Sequence, residues 1–433
     1  MNVYFISFGC KVNQYESAAL KSDFSENGFN IVSDMNDADV FIVNSCTVTS
    51  NSDKKMRQTM RKLRREHPQS IIVLTGCFPQ AFRKEAEAIP EADIVTGTSN
   101  RSSIVPLVKQ RLENKERILL VEPHSVTSSE PHGCREFTDK TRAFVKIQDG
   151  CNQFCSYCII PFSRGRVRSK PLDVLVNEIT QLAASGHKEV VLVGINLAFY
   201  GADSGLRLVD AVEACSKIEG IVRIRLGSLE PEMISEDDLV RLSKIEKLCP
   251  QFHLSLQSGC DRTLNAMNRR YTSAEYRALT ERIKALFPEC SLTTDVMTGF
   301  PGETEEDFAQ SLEFVKSIGF EKVHVFPYSR RSGTAADKMP EQLSETIKYE
   351  RAGRMSEASL EMQEKFMHKQ LGKIVPVLFE KENCTEFHYG YSPNYTLVKI
   401  KRHDPKKSLR KSILYVKIIS CEKDYCLGEI VPG

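Results

Sequence analysis

The sequence predicts an α/β chain in three parts: an N-terminal parallel α/β domain, a central partial (β/α)6 barrel and a small C-terminal β-barrel. Three observations carry this prediction. Apolar strand-like runs alternate with amphipathic helical stretches in the first third, and the alternation resumes after residue 142, the pattern of parallel sheets. Between these blocks, residues 122–141 carry Pro, Ser, Thr and Gly without apolar period and read as a linker. Beyond residue 370 the chain becomes short β-type runs separated by turn signals. The expected domains are therefore 1–121, 142–369 and 370–433.

In the first domain, strands are expected at 3–7, 39–44 and 70–76, with helices at about 14–27 and 52–66. In the second, the strands are 143–149, 189–195, 222–227, 252–257, 291–299 and 322–328. Helices at 172–185, 234–246, 273–287 and 304–318 fall between them. Six strand–helix units are too few to close a full barrel, so an open one is expected, with its chemistry at the carboxyl ends of the strands. A helix at about 342–370 leads to tail strands at 373–380, 396–401, 413–420 and near 427–431.

Charged residues are 27% and hydrophobic ones 41% of 433, enough apolar content for large cores. A net charge of +2 excludes a globally basic protein, so any nucleic-acid surface must come from local clusters. MNVYFISFGC lacks the basic start and apolar stretch of a secretory signal, and no apolar run approaches the roughly 20 residues of a membrane span. Fourteen cysteines in such a chain point to a reducing compartment, where thiols bind metal instead of pairing. A cytoplasmic metalloprotein is expected.

Six of the cysteines form two triads. Cys151, Cys155 and Cys158 are compact, spaced C-x-x-x-C-x-x-C, and follow the first strand of the central domain. Cys10, Cys46 and Cys77 are dispersed, each just past an expected strand end, so a parallel sheet would bring them to one edge. A 4Fe-4S cluster normally takes four thiolates, and three leave one iron open for another ligand. A structural zinc site would need a fourth ligand that neither triad supplies nearby. The segments VGIN at 193–196, SLEP at 228–231, SLQSG at 255–259 and TGFPGETEEDF at 298–308 place Gly or small polar residues at strand ends, where backbone can approach a ligand. Cys260 reads as a packed small residue, and His124, His132 and Cys134 as incidental in a polar loop.

In order and spacing, GCKVNQYES around Cys10, NSCTVTSNSDKK around Cys46, TGCFPQ around Cys77, GCNQFCSYCIIPFSRGRVRS and SLQSGCDRTLNAMNRRYT resemble the radical SAM methylthiotransferase family over essentially the whole chain. GCKVNQYES, SCTVT and HVFPYSRRSGT are most similar to its MtaB group, which acts on threonylcarbamoyl-adenosine in tRNA. The MiaB group, acting on isopentenyl-adenosine, typically reads GCQMN at the first motif, and the RimO group, acting on a ribosomal protein, GCPKN. GINLAFYG and Cys260 depart from the family pattern.

The resemblance implies two 4Fe-4S clusters. One, on Cys151, Cys155 and Cys158, would bind S-adenosylmethionine (SAM) at its open iron and cleave it to a 5′-deoxyadenosyl radical. Tyr157 would pack near the adenine, with Gly194, Ser228, Glu230, Gln257 and Asp295 as candidate SAM contacts. The other, on Cys10, Cys46 and Cys77, would hold sulfur at its open iron. One SAM would methylate that sulfur, and a second would supply the radical that activates C2 of the adenine. Both clusters must then face one cavity between the first two domains. The tail looks like the RNA-binding TRAM module. A reducing partner such as a flavodoxin or ferredoxin is implied, the sulfur donor stays unidentified, and a monomer is expected.

Residues 54–65 hold Lys54, Lys55, Arg57, Arg61, Lys62, Arg64 and Arg65 with no acid between them, while Met56, Met60 and Leu63 form a stripe that can pack. Lys399, Lys401, Arg402, Lys406, Lys407, Arg410 and Lys411 make a second basic cluster. Both are candidate RNA contacts. Tyr389, Tyr391 and Tyr395 fit either base-stacking platforms or barrel core. Arg164, Arg166 and Arg168 fit either phosphate contacts or structural ion pairs.

Overall fold

The computed structural model describes residues 1–124, 133, 140–382, 385–404 and 406–432. His132 and Cys134 lie outside the described residues.

Strands β1 (Asn2–Ser7), β2 (Asn30–Ile31), β3 (Val40–Ser45), β4 (Ile71–Gly76), β5 (Ile94–Thr96) and β6 (Ile118–Leu120) form one parallel sheet in the order β2-β1-β3-β4-β5-β6. Helices α1 (Lys11–Glu26), α2 (Ser50–Glu66), α3 (Cys77–Ala81), α4 (Arg83–Glu87) and α5 (Ile104–Asn114) connect them. The central strands β3 and β4 are buried throughout, as their near-continuous apolar runs require. Successive connections leave β1 and β3 in opposite directions, one toward β2 and the other toward β4. Open α/β sheets bind ligands at such a switch point, beyond the strand ends. The stripe of α2 packs as expected: Met56, Met60 and Leu63 are fully buried against the sheet.

The second block runs through β7 (Ala143–Lys146), the antiparallel pair β8 (Gln148–Asp149) and β9 (Arg168–Ser169), β10 (Glu189–Val193), β11 (Arg223–Leu226), β12 (Ser228–Leu229), β13 (Gln251–Leu254), β14 (Ser291–Thr298) and β15 (Lys322–Pro327). Its parallel sheets, β11-β10-β7 and β12-β13-β14-β15, meet at Gly227, so six staves curve into a partial barrel. Among the described residues no ladder joins β15 to β7, and the barrel is open. Helices α6 (Ile160–Arg164), α7 (Leu172–Ala184), α8 (Leu208–Ser216), α9 (Glu236–Ser243), α10 (Asp261–Ala266), α11 (Ser273–Leu286), α12 (Glu305–Ile318) and α13 (Glu345–His368) complete the block. Its core includes Val12 and Tyr15 of α1, so the hydrophobic interior crosses the boundary that the linker suggests.

The tail strands β16 (Ile374–Phe379), β17 (Phe387–Tyr391), β18 (Leu397–Lys401), β19 (Ile413–Cys421) and β20 (Cys426–Ile430) close into a barrel in the order β16-β17-β18-β20-β19. The sequence pattern shows four of them and misses β17, whose glycine obscures the run. Gly390 is required there, because a Cβ would lie 2.3 Å from the Leu378 carbonyl oxygen. Arg223 donates to the Tyr391 and Pro376 carbonyls (3.0 and 2.6 Å) and Arg225 to that of Pro393 (2.9 Å), fixing the small barrel to the larger one. Tyr391 and Tyr395 stack at 4.5 Å, with Arg142 over both rings. Those two rings are interdomain packing. No helix among the described residues is long and apolar enough to cross a membrane.

Candidate active site

The dispersed cysteines occupy three strand-to-helix turns at the switch point. Cys10 caps the start of α1, Cys46 follows β3, and Cys77 opens α3. Glycine lets the turns approach. Gly9 (φ +100°) would place a Cβ 2.6 Å from that of Cys46, and Gly76 (φ +101°) would place one 2.4 Å from the Ser45 carbonyl oxygen. Asn13 binds the cluster of turns together. Its Nδ2 donates to the Ser45 carbonyl (3.0 Å), and its Oδ1 accepts from Cys10 Sγ at 3.4 Å. Cys10 is exposed, while Cys46 and Cys77 are buried. Burial pushes the Cys46 thiol up and that of Cys77 up to about 12, the latter opposed by Arg164.

Arg164 is fully buried, which decides its role: it is a structural group and not a phosphate contact. Its Nε donates to Cys77 Sγ at 3.2 Å, and its Nη atoms pair with Glu16. Glu16 also receives Arg101 (2.9 Å) and Lys146 (3.0 Å). Asp149 lies 3.1 Å from Lys146, 3.5 Å from Arg164, 3.7 Å from Arg101 and 3.8 Å from Arg168. Burial alone would push the Glu16 carboxyl up, but Arg101, Arg164 and Lys146 outweigh it and hold it well below its usual range. Four cations against two carboxylates leave positive charge facing Cys77. Arg166 lies over the Phe154 ring at 4.9 Å.

The compact triad occupies the turn after β8. Gly150 (φ +75°) admits the Arg166 carbonyl, which a Cβ would meet at 1.9 Å. Cys151 Sγ accepts from Gln153 N (3.5 Å) and Asn196 Nδ2 (3.8 Å), and Cys155 Sγ from Arg269 Nη1 (3.3 Å). Burial, with Cys155 nearby, pushes the Cys158 thiol well up. Arg269 also pairs with Glu230 and donates to the Ser255 carbonyl at 3.2 Å, so Glu230 reaches the triad through this guanidinium. Tyr157 packs edge-on against Phe300, 6.5 Å between centroids. Gln257 holds a left-handed backbone (φ +68°) and donates its N–H to the Asp295 carbonyl at 2.8 Å.

Each triad offers three soft thiols, a donor set that suits an iron–sulfur cluster. Among the described residues no three or more His, Cys, Asp and Glu close on a single metal ion.

A cavity of about 520 Å³ lies between the first sheet's turns and the open barrel, within the size range of small-ligand sites. Cys10, Gly194, Ser228 and Asp295 share its lining, whereas Tyr157, Glu230 and Gln257 stay outside it. In its wall His253 bridges Thr293 Oγ1 (3.0 Å) and Asp295 Oδ2 (3.1 Å).

The basic candidates divide. Lys54 and Lys55 are exposed. Arg57 pairs with Glu85 at 3.1 Å and lies over Phe78, while Arg61 approaches Glu91 at 3.9 Å. Arg64 is a structural tie instead of an RNA contact. It donates to the Pro68, Ser70 and Glu91 carbonyls (3.0, 3.1 and 2.9 Å) and pairs with Asp93 at 2.5 Å. In the tail, Lys399 Nζ sits 3.4 Å above the Tyr425 ring, Lys401 is exposed, and Arg402 reaches the Asp404 carbonyl at 3.3 Å. Cys260 is buried, its thiol donating to Asp307 at 3.3 Å, and His124 joins Thr98 Oγ1 to the Ser163 carbonyl (both 3.1 Å). Asn13, Glu16, Asn196 and Arg269 lie inside the quoted motifs, but the sequence does not single them out. Only Glu16 leaves a signal, as a charge on the buried stripe of α1 beside Val12, Tyr15, Ala19 and Leu20.

Residues 2–97 match the family model described as Uncharacterized protein family UPF0004, and residues 145–315 match that of the Radical SAM superfamily. The threonylcarbamoyladenosine tRNA methylthiotransferase MtaB of Aquifex aeolicus is 38% identical over 88% of this chain and 94% of its own. The chain belongs to the radical SAM methylthiotransferase family. The MtaB of Bacillus subtilis is 35% identical to this methylthiotransferase over 99% of the chain and 96% of the relative. A tRNA-2-methylthio-N(6)-dimethylallyladenosine synthase of Caldicellulosiruptor saccharolyticus is 34% identical over 99% and 92%. Among solved structures, the radical SAM methyltransferase TsrM of Kitasatospora setae, with cobalamin and a [4Fe-4S] cluster bound, shares the fold of the methylthiotransferase at a TM-score of 0.57 and 13% identity, covering 77% of this chain and 76% of its own. The enzyme uses SAM and iron–sulfur chemistry, in keeping with the family.

Proposed function

We propose that this enzyme transfers a methylthio group to C2 of N6-threonylcarbamoyladenosine next to the anticodon of tRNA, with two SAM and two 4Fe-4S clusters, in the cytoplasm and as a monomer. One observation carries the reading: Cys10, from the dispersed triad, lines the same cavity as Ser228 and Asp295 of the barrel that bears the compact triad. Cys10, Cys46 and Cys77 would hold one cluster, and Cys151, Cys155 and Cys158 the other. When bound, the clusters and SAM supply the radical and sulfur chemistry that an inert aromatic C–H demands. The chain's own residues fix its geometry. Arg164 and Asn13 orient the first thiols, and Arg269 orients Cys155 and Glu230. Lys54, Lys55 and the tail residues Lys399, Lys401 and Arg402 would hold RNA, the tail acting as a TRAM-like module. A flavodoxin or ferredoxin would donate electrons.

The similarity to MtaB relatives supports this substrate, and the dimethylallyladenosine synthases at comparable identity supply the second reading. Mass spectrometry of tRNA nucleosides from strains with and without the gene tests both. Loss of the methylthio-threonylcarbamoyl peak is expected, and loss of only the methylthio-dimethylallyl peak would replace the first reading by the second. Anaerobic reconstitution should give about eight irons per chain, falling to about four in a Cys10→Ala, Cys46→Ala, Cys77→Ala variant that still cleaves SAM.

A further inference from the structure

The shared cavity has unspent recognition capacity. Lys11, beside Cys10, and Lys322, at the start of β15, both line it. No ion pair among the described residues engages either. Glu321 lines it too, but it is 5% exposed and its Oε2 is sealed away from the cavity. The remaining charged lining is self-satisfied, since Asp295 is taken by His253 at 3.1 Å. An occupant therefore meets two uncommitted ammonium groups. Both lysines are exposed, so water solvates them until an anionic group takes its place and makes charge-assisted hydrogen bonds to them.

We propose that Lys11 and Lys322 bind the carboxylate of the threonyl substituent on the target adenine. This rests on the threonylcarbamoyl reading above. That substituent carries one carboxylate, which matches the two free cations in charge. A dimethylallyl substituent carries no anion, so it forgoes the charge-assisted contacts that the lysines offer. Because Cys10 lines the same space, the group that reads the substituent and the triad that would carry sulfur act on one bound base.

The test uses the full-length protein with a synthetic anticodon stem–loop carrying threonylcarbamoyl-adenosine, its carboxylate methyl ester, or dimethylallyl-adenosine. Binding is read by fluorescence anisotropy and product by mass spectrometry. The free acid should bind wild type on the order of tenfold or more tighter than the ester, the scale of charge-assisted hydrogen bonds. Lys322→Gln and Lys11→Gln should each remove most of that preference while ester affinity stays within about twofold. Equal binding of acid and ester by wild type overturns the proposal, and so does a preference that survives both substitutions. The ester alters only the RNA, so the answer does not depend on a variant folding. If wild type methylthiolates the acid without discriminating against the ester, the recognition site is wrong and the function stands. If it methylthiolates only the dimethylallyl RNA, the functional reading itself falls.

Discussion

Glu16→Gln keeps the shape of the side chain and removes its charge, leaving Arg101, Arg164, Lys146 and Arg168 with Asp149 as their shared carboxylate. Glu16 is 1% exposed, so water cannot replace the lost partner. Breaking a buried ion pair by removing one member costs about 3–5 kcal/mol. Here one residue serves Arg101, Arg164 and Lys146, which puts the expected cost in the upper part of that range. That is about a quarter or more of a typical folding stability of about 5–15 kcal/mol. Urea unfolding of the metal-free chain, followed by circular dichroism, measures it. Arg164→Gln should be comparably harmful. The double variant removes both members of the pair, so its loss should fall short of the sum by at least about 1 kcal/mol. The sign with pH follows from the lowered carboxyl. Its contribution is fully present above the unfolded value of 4.5 and is lost as pH falls through the lower folded value. The gap between wild type and Glu16→Gln should therefore shrink below pH 4.5. A cost under about 0.5 kcal/mol at pH 7, the size of an ordinary surface substitution, would refute this reasoning, as would strict additivity of the two singles.

Gly76→Ala forces a side chain onto the Ser45 carbonyl at a φ of +101°, so it should cost more than about 1 kcal/mol and cut reconstituted iron by about half; an iron assay beside a melting curve reads both. Lys54→Ala with Lys55→Ala should weaken tRNA binding and lower its salt slope by about two, whereas Arg64→Ala should lower the melting temperature and leave the slope alone. Burial pushes the Glu321 carboxyl up to about 7, so ionising it costs folded stability as pH rises from 4.5 through 7. Glu321→Gln should therefore be more stable than wild type by roughly 3 kcal/mol at pH 8.5 and equal to it near pH 4, by urea midpoints.

Buried strands such as β3, β4 and β10 are legible because their apolar runs outlast any turn. β2, β5 and β6 are too short to show a period, and they become strands only by pairing with neighbours already in place. The compact triad is legible from spacing, and the dispersed one from its place after strand ends. The arginines are not. Arg164, Arg166 and Arg168 look alike in sequence, and the docking of α6 on α3 decides that Arg164 turns inward. Arg64 differs from Lys54 only because Asp93 and three carbonyls happen to surround it. Such choices are made by residues distant in the chain, which periodicity cannot report. The same holds for Tyr391 and Tyr395, whose partner Arg142 comes from another domain.

The side chain that touches Cys77 arrives late. A ribosome releases all three dispersed cysteines, and the sheet that gathers them, before it makes Arg164. Until that segment docks, Cys77 stands at an unfinished wall; afterwards it is 3% exposed. If this triad holds iron, as proposed, the metal reaches the finished site past Cys10, the exposed thiol of the three.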